Sequence, residues 1–332
     1  MKKDIVKILR ESLGGLGISP VPEIDVQIPK VESFGDISTP VAMGLAKPLK
    51  KSPRRIAEEI ADTLRDKAIF EKVEIAGPGF INITLTKEYL HESLKRLLRG
   101  ERACLREDVG HGSRVLVEYV SANPTGPLHI GHARGAAVGN ALCNLLEESG
   151  FRVEREYYIN DAGRQVRLLG LSIYSKYQQM LGVETAFPEE GYRGQYIDEE
   201  ASGLCDEAGE KYRNVPFEDC EGEITAWAYD RMMGLIKNDL SSFNIKDFTH
   251  WVSEKGLYEK GEVAQAIEEL KRRGLIYDKD GAVWFRSSDF GDDKDRVVIK
   301  KDGQFTYFAS DIAYHKDKLD RGYDIIIDVW GA

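Results

Sequence analysis

A strand, a loop, a helix and a second strand follow one another between residues 114 and 159, and this segment constrains the fold most. The run RVLVEYVS predicts a strand at Arg114–Ser121, and proline and glycine interrupt regular structure at 122–128. A helical period follows from about Ile130 to Glu148, and Arg152–Ile159 predicts the second strand. Two parallel strands joined by a right-handed crossover are expected, with the 122–128 loop at the carboxyl end of the sheet, where such sheets bind ligands.

The first hundred residues predict a separate, smaller α+β unit. Lys2–Leu13 has a helical period, and serine and proline predict helix starts at 38–40 and at 52–53. A hairpin is expected at 73–85, and a helix through Leu97 follows it. Because the segment 100–113 is charged and contains glycine, we expect one domain at 1–106 and another at 107–332.

The sequence after the second strand predicts an interruption of the sheet and a return to it. A mostly helical insertion is expected at about 163–290, followed by a hairpin at 295–308. A helix is expected at Asp311–Leu319 and a strand at Tyr323–Trp330. The apolar run of that strand predicts burial on both faces.

The composition excludes some classes of protein. No apolar run approaches the roughly 18 residues of a membrane span, so we expect neither a membrane helix nor a secretory signal. The net charge of −10 argues against indiscriminate nucleic-acid binding but is compatible with a local basic patch. The candidate patch consists of Lys47, Lys50, Lys51, Arg54 and Arg55. The alternative interpretation of these residues is a solvated helix start.

The four cysteines are Cys104, Cys143, Cys205 and Cys220. They lie far apart in sequence and form no paired CxxC motif. We therefore expect neither disulfides nor a structural zinc site, and a reducing, cytoplasmic environment.

The strongest chemical motif is His129-Ile130-Gly131-His132 at the start of the crossover helix. From the composition of the chain, about 0.01 HxGH matches are expected by chance. The first turn of a helix offers free N–H groups to phosphate, and two histidines three residues apart lie on one face of it. Gly131 leaves room for a flat base. The alternatives are simple helix capping or half of a metal site.

Several sequence blocks resemble arginyl-tRNA synthetases, which are class I aminoacyl-tRNA synthetases. VEYVSANPTGPLHIGHAR at 117–134 is the most specific block, and YINDAGRQ follows at 158–165. VVIKKDGQFTYFASDIAYHKDK at 297–318 resembles a later part of the family's catalytic domain. FGDISTPVAMGLAK at 34–47 and GPGFIN at 77–82 resemble its N-terminal domain, so the resemblance covers essentially the whole chain.

The resemblance implies an α/β fold, a Rossmann-like parallel sheet with a helical connective insertion, preceded by a small α+β domain. It implies the reaction of an arginine–tRNA ligase. The carboxylate of L-arginine attacks the α-phosphate of ATP, and the arginyl group then passes to the 2′-OH of the terminal adenosine of tRNA-Arg. Mg²⁺ accompanies ATP as cofactor. Catalysis of this kind depends on positioning and on charge stabilisation.

The resemblance also implies roles for individual residues. The catalytic and ATP-binding positions are His129 and His132, with Gly131 in the ATP site. The arginine-binding positions are Ser121 and Asn123 for the backbone end and Glu118, Tyr307 and Asp311 for the side chain. A guanidinium needs carboxylates in a fork geometry, although Glu118 and Asp311 are alternatively solvated or helix-capping acids.

Two further pairs remain open between a functional and a structural interpretation. Phe80 and Asn82 match positions that contact the tRNA elbow, where an aromatic ring stacks on an unpaired base. Phe80 is equally compatible with a core position in a hairpin. Asn160 and Asp161 follow the second strand and therefore face the same crevice, but an Asn-Asp pair is also typical of a turn.

The chain departs from the family pattern in its length. A KMSKS-type loop and a helical anticodon-binding domain are absent from these 332 residues, so we expect an N-terminal fragment with impaired or no activity. Family members are typically monomeric, whereas an uncovered last strand predicts self-association of such a fragment. Two alternatives remain: a non-catalytic RNA-binding or regulatory module, and another HxGH nucleotidyltransferase.

Overall fold

The computed structural model describes residues 2–101 and 108–331. Within these residues, the helices are α1 (Lys2–Gly15), α2 (Val41–Leu49), α3 (Pro53–Arg65), α4 (Lys87–Leu98), α5 (Ile130–Glu148), α6 (Arg164–Met180), α7 (Gln195–Ala208), α8 (Phe217–Ser242), α9 (Glu254–Glu259), α10 (Glu262–Arg272) and α11 (Tyr307–Asp320). The strands are β1 (Ile37–Thr39), β2 (Phe70–Ala76), β3 (Phe80–Leu85), β4 (Arg114–Tyr119), β5 (Arg152–Ile159), β6 (His250–Ser253), β7 (Ile276–Lys279), β8 (Ala282–Phe285), β9 (Arg296–Ile299) and β10 (Ile325–Val329).

The chain divides into two units, Met1–Arg106 and Glu107–Ala332. In the first unit, β1, β3 and β2 form an antiparallel sheet in that order. Helix α3 begins because Ser52 accepts a hydrogen bond from the N–H of Arg55 and Pro53 occupies the first turn. Its apolar face is buried in the core of this unit. The expected hairpin and the helix after it are confirmed as β2, β3 and α4.

The first unit also contains a strand where the sequence predicted the start of a helix. Residues 37–39 form β1, which pairs with β3, and α2 begins only at Val41 after Pro40. Thr39 is fully buried in this strand, and its hydroxyl donates to the carbonyl of Asp25. The helix start predicted at 38–40 is therefore confirmed to within a few residues, and the strand that precedes it is the unexpected feature.

The second unit is built on a parallel sheet with the strand order β10-β4-β5-β6. Helix α5 connects β4 to β5, which confirms the predicted strand–helix–strand unit. Apolar residues of β4 pack against α5 and α8 in a common core, which includes Val115, Val117, Tyr119, Ala136 and Ile236. The carboxyl ends of all the parallel strands consequently meet at one edge of this sheet.

The second unit differs from the sequence-based expectations in three details. The predicted helical insertion contains β6, which belongs to the main sheet, and it is helical mainly from α6 to α8. The turn predicted at 301–303 is present, because Ile299 and Phe305 form an antiparallel bridge and the N–H of Lys300 donates to the carbonyl of Gln304 at 2.8 Å. The second arm is shorter than expected, since α11 begins at Tyr307 rather than Asp311, and β9 pairs along its length with β8 instead. The last strand, β10, lies at the end of the described sheet and is only half-buried.

Candidate active site

Two histidines cap the first turn of α5 at the carboxyl end of β4. Nδ1 of His129 accepts from the N–H of Gly131 at 3.1 Å, and Nδ1 of His132 accepts from the N–H of His129 at 3.3 Å. The two rings stack with their centroids 3.7 Å apart. A neutral imidazole that accepts through Nδ1 carries its proton on Nε2. Burial and the neighbouring His129 lower the pKa of His132, which favours this neutral form.

Gly131, which lies between the two histidines, allows this arrangement. A side chain added at Gly131 would place its Cβ 3.0 Å from Cε1 of His129 and 3.1 Å from Nδ1. Glycine therefore lets the His129 ring fold back onto the helix terminus. The capping interpretation is correct as geometry, and it leaves the Nε2 donors of both rings available at a helix N-terminus that attracts phosphate.

The loop after β4 has an unusual backbone conformation. The strand ends at Tyr119 rather than at Ser121, because Val120 and Ser121 adopt φ values of 70° and 41°. A β-branched residue in this left-handed region is strained. The hydroxyl of Tyr157 holds the turn, because it accepts from the N–H of Ala122 at 3.0 Å and donates to its carbonyl at 2.9 Å.

The two residues expected to hold the backbone end of an amino acid lie on this loop. Oγ of Ser121 accepts from the N–H of Tyr158 at 3.1 Å and donates to Glu118. The exposed Asn123 donates through Nδ2 to Oε1 of Gln165 at 2.8 Å, in the first turn of α6. The loop is thus fixed from two other elements before any ligand binds.

Glu118, in β4, is 5% exposed and already satisfied by side chains of the protein. Its Oε1 accepts from Ser121 Oγ at 2.8 Å, and its Oε2 accepts from the hydroxyl of Tyr314 at 3.0 Å and from Lys318 at 2.5 Å. The single proton of the Tyr314 hydroxyl is shared with Oε1 of Glu156, which lies at 2.7 Å, so a buried polar network lies behind this end of the sheet.

Asp311 and Tyr307 lie one turn apart at the start of α11. Tyr307 is 76% exposed. Asp311 is half-buried, and among the described residues its carboxylate has no hydrogen-bond or ion-pair partner. Burial raises the pKa of Asp311, and the neighbouring charge of Glu118 raises it further. An unpaired, partly desolvated carboxylate of this kind is suited to receive a cation.

The structure adds two residues that the sequence analysis missed. Glu254, buried at the carboxyl end of β6, accepts from Ser310 Oγ at 2.6 Å, and its pKa is raised by burial and by Asp311. The buried hydroxyl of Tyr158 has no hydrogen-bond partner among the described residues, and burial followed by the charge of Glu254 raises its pKa. Glu254 could have been found only if 250–253 had been assigned to the parallel sheet.

A cavity of about 630 Å³ connects several of these elements. It is lined by Asn160, Glu254, Tyr258, Lys300 and Tyr307, among others. Asn160 therefore lines a cavity at the carboxyl end of β5. Asp161, in contrast, is engaged by the protein: its carboxylate accepts from Ser253 Oγ at 2.7 Å and from the N–H of Lys255 at 2.9 Å.

Phe80 and Asn82 belong to the first unit. Phe80 is half-buried at the start of β3, next to the turn of the hairpin. Asn82 is only 7% exposed, and its Oδ1 accepts from Ser38 Oγ at 2.8 Å. The nearby cations of Lys51, Arg54 and Arg55 pair with Glu58 and Glu59, which weakens the candidate basic patch.

Residues 2–101 and 108–331 offer few other candidate sites for metal binding, membrane insertion or thiol chemistry. No group of three metal-ligating side chains occurs there, and no helix there is long and apolar enough to cross a bilayer. Cys143 and Cys220 are buried free thiols, Cys205 is a half-buried one, and Cys104 lies outside the described residues.

Comparison with known proteins identifies the family. Residues 2–85 match the arginyl tRNA synthetase N terminal domain, and residues 93–329 match the tRNA synthetases class I (R), catalytic domain. The arginine–tRNA ligase of Bacillus licheniformis is 48% identical over 335 residues, which cover 99% of this chain and 60% of the relative. That of Bacillus subtilis is 49% identical over 321 residues, covering 95% of this chain and 56% of the relative.

Solved structures agree with these matches. A protein from Campylobacter jejuni assigned as an arginyl-tRNA synthetase is 41% identical with a TM-score of 0.66, covering 75% of this chain and 54% of that one. The Thermus thermophilus arginyl-tRNA synthetase is 22% identical with a TM-score of 0.54, and the match covers 95% of this chain and 52% of that one. This similarity supports the fold. Fold and sequence define a class I synthetase catalytic domain. Within that class, the chain belongs to the arginyl-tRNA synthetase family.

Proposed function

We propose that this protein is an arginine–tRNA ligase. The chain spans 60% of the length of the Bacillus licheniformis relative, so the activity concerns the complete gene product. The observation that carries the proposal is the unpaired, half-buried carboxylate of Asp311 at the carboxyl end of the parallel sheet. At the same end, two histidines cap the first crossover helix, α5. An anionic pocket for a cationic side chain thereby accompanies a phosphate-binding helix terminus.

The first chemical step is the formation of arginyl-adenylate. A carboxylate oxygen of arginine attacks the α-phosphorus of ATP, and pyrophosphate leaves with the electrons of the broken P–O bond. The Nε2 donors of His129 and His132 hydrogen-bond to phosphate oxygens on which negative charge increases during this displacement. Mg²⁺ bound to ATP supplies further charge neutralisation. Gly131 keeps the helix terminus open to the nucleotide.

The amino-acid site is formed by the ends of β4 and α11. Ser121 and Asn123 bind the backbone end of arginine, and Glu118, Tyr307 and Asp311 define the side-chain pocket. Glu118 is already hydrogen-bonded by the protein, whereas Asp311 offers a free carboxylate, so Asp311 supplies the main charge for the guanidinium.

The second step consumes the adenylate. The 2′-OH of the terminal adenosine of tRNA-Arg attacks the carbonyl carbon of the arginyl group, loses its proton and releases AMP. The first unit, 1–106, is proposed to bind the tRNA elbow through Phe80 and Asn82, with Phe80 as the better placed of the two because Asn82 is buried. Such a reaction belongs to the cytoplasm, and the enzyme is proposed to act as a monomer.

Charging of tRNA by the complete gene product tests this function. We expect labelled arginine, but not lysine, to be transferred to tRNA-Arg in the presence of ATP and Mg²⁺. Lysine cannot satisfy a planar fork of carboxylate contacts. Transfer of another amino acid, or no transfer with tRNA-Arg from the same organism, would overturn the proposal.

A further inference from the structure

One lysine of α11 is fully buried at this end of the sheet. Lys318 is 0% exposed, and its Nζ contacts Oε2 of Glu118 at 2.5 Å and Oδ1 of Asp328 at 2.6 Å. The ammonium group also lies 4.2 Å from the centre of the Tyr314 ring. A lysine is seldom buried unless its charge is paired, so these partners determine its position.

The two carboxylates that hold Lys318 come from neighbouring strands. Glu118 of β4 and Asp328 of β10 are direct partners in the parallel register, so their side chains lie on the same face of the sheet. Two carboxylates on adjacent strands repel each other strongly in a poorly solvated environment. The Lys318 ammonium lies between them and offsets that repulsion, together with His315, whose Nε2 lies 3.4 Å from Oδ2 of Asp328. Both side chains join α11 to the sheet, and only Lys318 contacts both strands.

Lys318 and Asp311 lie on one face of α11, seven residues and about two turns apart. Tyr314, between them, donates to the same Oε2 of Glu118 that Lys318 contacts. The Oε2 atom is therefore fixed from α11, while Oε1 is left on the side of Ser121. The orientation of the Glu118 carboxylate relative to the Ser121 loop consequently depends on α11.

We propose that Lys318 is a positioning residue for arginine binding, which acts through Glu118 and does not touch the substrate. It fixes the Glu118 carboxylate, and with it Ser121, and it compensates the charge of Glu118, while Asp311 stays an unpaired carboxylate that can receive the guanidinium. The inference rests on the proposed function. It predicts that loss of Lys318 weakens the binding of arginine but not the binding of ATP.

The test compares Lys318→Met with Lys316→Met in the complete gene product. Lys316 lies on the same helix but is only partly buried, with 44% of its side chain exposed, and it pairs with Asp320. We expect Lys318→Met to raise the KM for arginine by about tenfold to a hundredfold, the size of a lost hydrogen bond to a charged group, while the KM for ATP stays within about twofold. Lys316→Met should change neither value.

A double-mutant cycle with Glu118→Gln separates positioning from a general structural effect. If Lys318 acts through Glu118, adding Lys318→Met to Glu118→Gln should weaken arginine binding, measured by calorimetry, by much less than it does alone. Equal losses of arginine and ATP affinity, or fully additive losses in the cycle, would overturn the inference.

The loss of a buried charge also endangers folding, so a milder variant is needed. Tyr314→Phe removes the hydroxyl that contacts Oε2 of Glu118 and Oε1 of Glu156, and it removes no charge. We expect it to weaken arginine binding several-fold with unchanged ATP binding, and unchanged arginine binding would count against the inference. If the wild-type protein neither binds arginine nor charges tRNA, the proposed function itself fails. If it does both and the variants bind arginine normally, only the role of Lys318 fails.

Discussion

His132 accepts a hydrogen bond from the backbone of His129 while the two rings stack with their centroids 3.7 Å apart. The pair therefore has two effects that sequence alone cannot separate. Its Nδ1 atoms satisfy free N–H groups at the start of α5, and its Nε2 atoms are left for a ligand. A substitution that preserves the first effect and removes the second distinguishes capping from catalysis.

His129→Asn is that substitution. Asparagine is a good helix N-cap, so we expect the thermal stability to change little, whereas His129→Ala should cost about 1 kcal/mol. Both variants lose the Nε2 donor and should slow arginine-dependent formation of the adenylate by about a hundredfold to a thousandfold. Pyrophosphate exchange with tRNA present, beside a melting curve, provides the measurement. Full activity of His129→Asn would reduce this histidine to a cap.

Asp311→Asn should separate binding from stability. Because burial raises the pKa of Asp311, its ionised form is disfavoured in the folded protein, and removing the charge should leave the melting temperature at pH 7 unchanged or higher. Arginine binding should nevertheless weaken by about 1.5–3 kcal/mol. Asp320→Asn, at the exposed end of the same helix, is the control and should leave arginine binding unchanged. A normal KM for arginine in Asp311→Asn would remove this residue from the pocket.

The pH dependence of arginine binding follows from the raised pKa of Asp311. The guanidinium binds the ionised carboxylate, so affinity should be complete above the raised pKa of Asp311 and decrease as the pH falls through it. The decrease should begin at a higher pH than for an ordinary aspartate. Calorimetric titration of arginine across this range measures the effect, and Asp311→Asn should flatten the profile. A residual decrease in that variant would point to Glu254, whose pKa burial also raises.

Two glycines of α5 should respond in opposite directions to alanine. A Cβ at Gly139 would overlap the ring of Tyr119, close to the rigid β4 backbone, so Gly139→Ala should destabilise the protein by about 1–3 kcal/mol. Nothing lies within 4 Å of a Cβ at Gly135, where alanine should stabilise the helix by about 0.5–1 kcal/mol. Chemical denaturation of both variants measures the difference. Equal effects would contradict the packing of α5 on β4.

Contact with tRNA can be tested at Phe80. We expect Phe80→Ala to weaken tRNA binding by about 1–3 kcal/mol, the usual value for loss of a stacked base, without changing arginine binding. Phe34, which is 49% exposed in the same unit, offers a matched control. A similar loss in Phe34→Ala would show that exposed phenylalanines of this unit are interchangeable, and the specific role of Phe80 would be wrong.

The sequence predicted those parts of the fold that depend on local pattern. The β4–α5–β5 unit and the β2–β3 hairpin were predictable, because each joins neighbours in sequence with strong periodicity and clear turns. The end of β4 was not, because the φ values of Val120 and Ser121 depend on Tyr157, which is distant in sequence.

The candidate site was predictable only in part. The HxGH motif and the position of Asp311 could be identified, whereas β6 was hidden by four residues without a distinct period, and Glu254 with it. The burial of Lys318 contradicts the usual preference of lysine for solvent and follows only from the adjacent carboxylates of two strands. Those carboxylates are brought together by pairing of β10 with β4.

The order of the strands also affects how the chain is made. Strand β4 can pair with β5 soon after both have been synthesised, but its other neighbour, β10, comes much later: Arg114 bonds to Asp324, 210 residues further on. At a usual rate of about 5–20 residues per second, one side of β4 waits roughly 10–40 s on the ribosome for its partner. During this interval its apolar edge is open to wrong pairing, and α6, α7 and α8 are synthesised in the meantime.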